Sequence, residues 1–183
     1  MSQQQFTRIA AFTAATAAIV LAGCAAQPIG LGAVARPGTV AALNPRLKAA
    51  VTLREVTGPA TPETSTWSMF RGGPGNADAF RRALLDSLAM NGYYTSNPAA
   101  ARLAVSANIE ELTQPAGGVS MQVRTNVTYT VTGPGGARSF PIEASGTAYP
   151  SDSLDAAERL RIANERAFAE NIRKFLAQLS ALS

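Results

Sequence analysis

The feature that most constrains the fold is an unbroken alternation of two kinds of side chain along residues 121–132. Successive side chains of an extended chain point to opposite sides, so a period of two predicts a strand with one buried face and one polar face. A sheet built around this strand would need cover on one side only. The buried side would carry Met121, Val123, Thr125, Val127, Tyr129 and Val131, and the polar side Gln122, Arg124, Asn126, Thr128, Thr130 and Thr132.

Two further strands are expected beside this one, at 103–110 and 138–149. The glycine-rich segments 115–118 and 133–136 fit turns between them, so the three strands should form an antiparallel meander. The last strand contains Pro141, which has no N–H to donate to a neighbouring strand, and Gly146. We therefore expect this strand to lie at an edge of the sheet or to begin with a bulge.

Two segments have the apolar spacing of amphipathic helices. Residues 76–91 have Asn76 as a cap and Asn91-Gly92 as a stop signal. Residues 152–182 form the longest predicted element, a helix of about 27 residues and some 40 Å, with Ser153 as its cap. The ion pairs expected along this helix are Asp155–Arg159, Arg161–Glu165 and Glu170–Lys174.

With a first strand at 48–56, the predicted order is β-α-β-β-β-α. This order predicts an α+β fold in a single domain over 48–183: a two-layer sandwich of a four-stranded, mostly antiparallel sheet with both helices on one face. A long loop at 58–75 is rich in glycine and proline and contains Trp67, Met69 and Phe70. Those three side chains either fold back over the edge of the core or form a contact surface for a partner or lipid.

The composition removes most catalytic chemistries. The chain has no histidine and one cysteine, so the commonest general base and the commonest metal ligand are missing. Glu110 and Glu111 are neighbours on a predicted strand, where their side chains would point to opposite faces, and we interpret them as solvated charges. A net charge of +4, spread along the chain, argues against nucleic acid as a partner. We expect no enzymatic activity, no cofactor and no metal.

The N-terminus has the layout of a secretory signal peptide, with the cation Arg8, an apolar run over 9–22 and small residues before Cys24. The apolar run is shorter than the roughly 20 residues of a membrane-spanning helix. The quartet Leu21-Ala22-Gly23-Cys24 resembles the lipobox of bacterial lipoproteins. This resemblance implies a signal peptide at 1–23, cleavage before Cys24, a diacylglyceryl group on its sulfur and an acylated new amino terminus. The alternative is an ordinary secreted protein with an incidental cysteine.

The lipobox also implies a location. Residues 24–47, rich in alanine, glycine and proline, would comprise the lipidated Cys24 and a flexible tether to the domain. Lipoproteins of this kind stay at the inner membrane when Asp follows the cysteine. Here the residue is Ala25, which implies an outer-membrane anchor with the domain facing the periplasm.

The lipobox, the tether and the order of elements together resemble small outer-membrane lipoproteins of Gram-negative bacteria, both the lipopolysaccharide-assembly (LptE-like) and the YajG-like kind. Segments at 80–88, 112–115 and 158–172 also look like an uncharacterised lipoprotein family of proteobacteria. The resemblance implies a non-enzymatic accessory lipoprotein that supports outer-membrane or lipopolysaccharide assembly or transport by binding an envelope protein. A periplasmic carrier for a lipid or acyl chain is the alternative, and an enzyme built from distant carboxylates is the third hypothesis.

Overall fold

The predicted order of elements and the α+β class are confirmed. A computed structural model describes residues 44–58, 74–115 and 117–182, without the side chains of 74–76. The order is a 3₁₀ turn (Pro45–Leu47), β1 (Val51–Thr57), α1 (Pro74–Met90), β2 (Leu103–Thr113), β3 (Met121–Gly133), β4 (Gly136–Ala148) and α2 (Ala156–Ser180).

The sheet has the strand order β1-β2-β3-β4. β1 runs parallel to β2, because α1 between them returns the chain to the same end of the sheet, whereas β2, β3 and β4 form the expected antiparallel meander. The pair Gly133 and Gly136 closes a two-residue hairpin turn. Gly136 has a φ of +97°, a backbone conformation that favours glycine.

The alternation along β3 has the predicted structural meaning. Its odd-numbered side chains from Met121 to Val131 are buried, whereas the even-numbered ones are exposed or half-buried. On α1, Phe80, Leu84 and Leu88 are fully buried against the same side of the sheet. Burial of a large apolar side chain contributes roughly 1.5–3 kcal/mol, so this face contributes much of the stability of the domain. The buried hydrophobic residues of the described chain all lie between Leu47 and Leu179.

α2 lies closest to the sheet at Gly146 of β4. A Cβ atom at this position would overlap the backbone carbonyl oxygen of Ala163 and the backbone amide nitrogen of Ala167. The glycine therefore allows close contact between the helix and strand backbones, a role that the sequence analysis did not anticipate when it interpreted Gly146 as a weak point of the strand.

A buried polar network joins α2 to two strands. Asn171 of α2 donates from its side-chain amide to the carbonyl of Ile142 (2.8 Å) and to the hydroxyl of Thr125 (3.2 Å). The hydroxyl of Tyr129 donates to Asn171 Oδ1 at 2.8 Å. The ring of Tyr129 stacks on Phe175 with centroids 4.0 Å apart. Burial raises the pKa of Tyr129 well above its usual value, which keeps the hydroxyl protonated as a donor.

β4 forms an edge of the sheet, as its proline predicted. Two basic side chains of α2 reach around to this edge. Lys174 Nζ donates to the carbonyl of Glu143 at 2.7 Å, and Arg166 Nη1 donates to the carbonyl of Thr147 at 2.6 Å. These bonds occupy backbone acceptors that a further strand would need.

Two details of α2 differ from the prediction. The helix starts at Ala156, and its cap is Asp155, whose carboxylate accepts from the Glu158 amide at 2.7 Å. The predicted cap, Ser153, instead accepts from the amide of Asp155 through its Oγ. Because the cap lies two residues later than expected, the side chain of Arg159 turns back to the carbonyls of residues 153 and 154 instead of pairing with Asp155.

The ion pairs along α2 are partly those expected. Arg161 does pair with Glu165, and it also pairs with Glu158 at 2.5 Å. Glu170 pairs with Arg173 at 2.6 Å, one position before the expected partner. Lys174 is engaged at the edge of β4 instead.

Candidate functional site

The second face of the sheet is the candidate site. Both helices pack on the opposite face, so no described helix covers this one. Its side chains are polar, as the alternation in β3 predicted, with Gln122 and Arg124 exposed and Thr128 half-buried. β4 adds Glu143 and Ser145 from the neighbouring strand. We call this surface the polar face.

A cleft of about 790 Å³ lies at one end of the polar face, where β2 ends and β3 begins. A register shift between Ile109 and Glu111 places an extra residue in β2 at this point. Such a bulge bends its strand and redirects the side chains that follow it. The walls come from three strands and α2, and they include Glu111, Gln114, Arg124, Asn126, Glu143 and Lys174.

Two amide side chains in this cleft have unused acceptors. Gln114 donates from Nε2 to Asn164 Oδ1 at 2.8 Å, and Asn126 donates from Nδ2 to Glu110 Oε2 at 3.4 Å. Within the described residues, the buried oxygens Gln114 Oε1 and Asn126 Oδ1 accept no hydrogen bond. A buried acceptor without a donor costs about 1–3 kcal/mol. Both oxygens are shielded from solvent. A group bound in the cleft would therefore contact the exposed side chains of its lining.

The charges that line the cleft balance each other. Arg124 and Lys174 supply two positive charges, and Glu111 and Glu143 supply two negative ones. Thr113 donates its hydroxyl to Glu111 at 2.5 Å. Both carboxylates are exposed, so water reaches them. The arrangement suits recognition of a polar, overall neutral surface more than a reaction that requires exclusion of water.

The structure does not test the site residues that were predicted from the sequence. Cys24, Trp67, Met69 and Phe70 all fall outside the described residues, as does most of the 58–75 loop. The polar side of β3, which includes Asn126, was predicted from the period of two along this strand. The contribution of Gln114, which lines the cleft and donates to Asn164 of α2, was missed because its position depends on how β2 ends.

The described residues contain no group of acidic, histidine or cysteine side chains arranged to hold a metal ion. None of the described helices has the length and apolar character needed to cross a membrane. Aromatic rings fill the space between sheet and helices, where Phe80 lies 5.0 Å from Phe168 and 6.4 Å from Tyr129, between ring centroids. An acyl-chain carrier of this fold would need an apolar cavity where these rings pack.

These features define a two-layer α+β sandwich with one covered and one polar sheet face. No protein-family model matches the chain, and no curated protein matches it. Solved structures share the fold. Protein XCC0632 from Xanthomonas campestris, which carries the family name DUF330, has a TM-score of 0.52 and 10% identity over 78% of this chain and 91% of its own.

Two other solved structures are similar. CT253 from Chlamydia trachomatis has a TM-score of 0.50 and 11% identity, over 74% of this chain and 99% of its own. A protein from Caulobacter crescentus CB15, described as a candidate lipoprotein, has a TM-score of 0.47 and 19% identity, over 74% of this chain and 90% of its own. At such identities, the likeness to the Xanthomonas and Chlamydia proteins is one of fold.

Proposed function

We propose that this protein is a non-enzymatic accessory lipoprotein of the cell envelope, anchored to the outer membrane through Cys24, that binds a protein partner with its polar face. The process it serves would be outer-membrane or lipopolysaccharide assembly or transport. The observation that carries the binding role is the cleft of about 790 Å³ on the polar face, with its exposed and charge-balanced lining.

A protein surface supplies groups that match this polar lining. Backbone amides and the side chains of lysine, arginine, asparagine and glutamine all bring N–H donors, and balanced charges in the cleft favour a partner with interspersed charges of both signs. The anchor supports the same role, because confinement to one membrane raises the effective concentration of the domain near membrane-bound partners.

Photo-crosslinking in intact cells tests the binding role. A photoreactive residue at Thr128, on the polar face, should give one adduct of defined mass that contains an envelope protein. The same residue at Arg82, exposed on α1, is the matched control and should give none. Equal capture from both positions, or none from Thr128, would overturn the proposal, and a lipopolysaccharide adduct would favour a lipid ligand instead.

A second variant tests the cleft itself. Asn126→Leu replaces a polar side chain that lines the cleft with an apolar one, and loss of one hydrogen bond to a partner lowers affinity by about tenfold. The yield of the Thr128 adduct should fall accordingly while the protein level in the membrane stays unchanged. An unchanged yield would place the partner elsewhere.

The anchor has its own test. Mass spectrometry of protein purified from membranes should give a chain that begins at an acylated Cys24, and Cys24→Ala should move the protein out of the membrane fraction. An unmodified thiol, with residues 1–23 still attached, would refute the anchor and leave the polar-face experiment unaffected.

A further inference from the structure

A second concave surface lies at the opposite end of the sheet from the cleft. This groove of about 410 Å³ sits where β2 begins, β3 ends and β4 starts, and three arginines, Arg46, Arg102 and Arg138, line it. Between them the groove is mostly apolar, with Leu47, Leu103 and Leu182 among its walls. We call it the arginine groove.

Glycines shape the arginine groove. At Gly133 a Cβ would lie 2.6 Å from Leu103 Cδ2, so the absence of a side chain allows the leucine to pack against the end of β3. At Gly135 and Gly136 a Cβ would have no heavy atom within 4 Å, so the turn carries no side chain into the open space beside it. The groove is therefore accessible from outside.

Among the described residues, no acidic side chain neutralises the positive charge of the groove. No carboxylate lines it, and no acidic residue occurs in segments 44–50, 100–103, 131–138 and 180–182 that surround it. Arg102 donates to the carbonyl of Arg46. Within the described residues, the guanidinium groups of Arg46 and Arg138 have no ion pair, unlike Arg161, Arg166 and Arg173 of α2.

We infer that the arginine groove seats the domain on a membrane surface by binding the phosphates of anionic lipid headgroups. Guanidinium groups match phosphate oxygens in geometry and charge, and an apolar floor between cations suits the glycerol and upper acyl region of a lipid. Each arginine near an anionic membrane surface strengthens binding about fivefold.

The position of the groove fits an anionic membrane surface as its occupant if the protein carries the proposed anchor at Cys24. Arg46 and Leu47 are groove residues at the C-terminal end of the predicted tether, and Asn44 comes only twenty residues after Cys24. A chain of that length reaches at most about 70 Å in any conformation. The anchor would thus keep this end of the domain near the membrane.

Seating the groove on the membrane would orient the polar face. Arg124 in the cleft and Gly133 in the groove are nine residues apart on β3. At about 3.3 Å per residue, this places the cleft some 30 Å from the groove along the strand. The cleft would then face away from the bilayer, where a periplasmic partner can reach it.

Vesicle co-sedimentation tests the inference without the anchor. The chain from residue 24 onward keeps every buried core residue, and Cys24→Ser removes the acylation site. At 0.1 M salt, this protein should bind vesicles of 30% phosphatidylglycerol in phosphatidylcholine and should not bind phosphatidylcholine alone. Binding should weaken at 0.5 M salt, because the interaction is electrostatic.

Arginine substitutions locate the binding. Arg46→Gln with Arg138→Gln should lower the vesicle partition coefficient about 25-fold, since two arginines are lost. Arg54→Gln with Arg82→Gln removes the same charge from exposed positions outside the groove and should have little effect. Circular dichroism should confirm that both proteins are folded.

Three results would overturn the inference: equal losses in the two double variants, no binding by the folded parent, or binding to both vesicle types alike. Concentration-dependent dimerisation that the groove variant abolishes, without vesicle binding, would assign the groove to a second copy of the chain. Because Cys24 is already replaced, none of these results depends on whether the native protein is lipidated, which mass spectrometry decides separately.

Discussion

The hydroxyl of Tyr129 on β3 donates a 2.8 Å hydrogen bond to Asn171 on α2, in the interior of the domain. The side-chain amide of Asn171 donates to the hydroxyl of Thr125 and to the carbonyl of Ile142, so one side chain connects the helix to two strands. Every partner in this network is buried, and the network is therefore sensitive to the loss of any member.

Tyr129→Phe should lower the free energy of unfolding by about 1–3 kcal/mol, because Asn171 Oδ1 would lose its buried donor. Urea denaturation measures the change. Tyr149→Phe removes a hydroxyl from a residue that is 54% exposed and should change the free energy by less than about 0.5 kcal/mol. Equal effects of the two substitutions would contradict the buried bond.

Gly146→Ala should destabilise the domain by at least about 1–3 kcal/mol, because the new methyl group would meet the backbone of α2 instead of a side chain that can move. Thermal unfolding followed by circular dichroism measures the effect. Gly117→Ala is the control, since a Cβ there has no heavy atom within 4 Å. A neutral Gly146→Ala would show that α2 does not approach β4 this closely.

Asp155→Ala should lower the free energy of unfolding by about 1 kcal/mol, because the carboxylate caps α2 through the Glu158 amide. Ser153→Ala should cost less, since the Ser153 hydroxyl accepts only from the amide of Asp155, outside the helix. The reverse order would restore Ser153 as the cap that the sequence suggested.

Hydrogen bonding by Arg166 lowers the pKa of Asp152 to about 2, helped by a backbone hydrogen bond from Tyr149. A carboxylate with a lowered pKa stabilises the folded state above its unfolded value near 4 and loses that contribution as the pH falls towards 2. Melting temperatures between pH 5 and pH 2 should therefore fall less steeply in Asp152→Asn than in the parent.

Arg166→Gln provides the control for this pH dependence. In the Arg166→Gln background, Asp152→Asn should change the slope of melting temperature against pH less than in the parent, because only the Tyr149 amide still lowers the pKa of Asp152. An equally large change in both backgrounds would mean that Asp152 titrates independently of the arginine.

The order of elements could be predicted because it depends on local patterns. The period of two in β3 and the helical spacing around Leu84 give the same result in almost any context. The cap of α2 was misplaced by two residues, since Ser153 and Asp155 are both good cap residues and the start of the helix also depends on where Arg159 packs.

The cleft and the arginine groove could not be predicted in the same way. Gln114 and Asn126 are twelve positions apart and line the same cleft only after β2 bulges and pairs with β3. Arg46, Arg102 and Arg138 come from three distant segments, so their shared position appears only once the sheet is formed. No local period in the sequence encodes either arrangement.

The bonds from Lys174 and Arg166 to the outer carbonyls of β4 bear on how copies of this protein associate at high concentration. Growth of a fibril by strand addition needs two free sheet edges on every subunit, one paired with the previous subunit and one with the next. Because the β4 edge is occupied, two chains can pair through their β1 edges, but no further chain can add a strand to the pair.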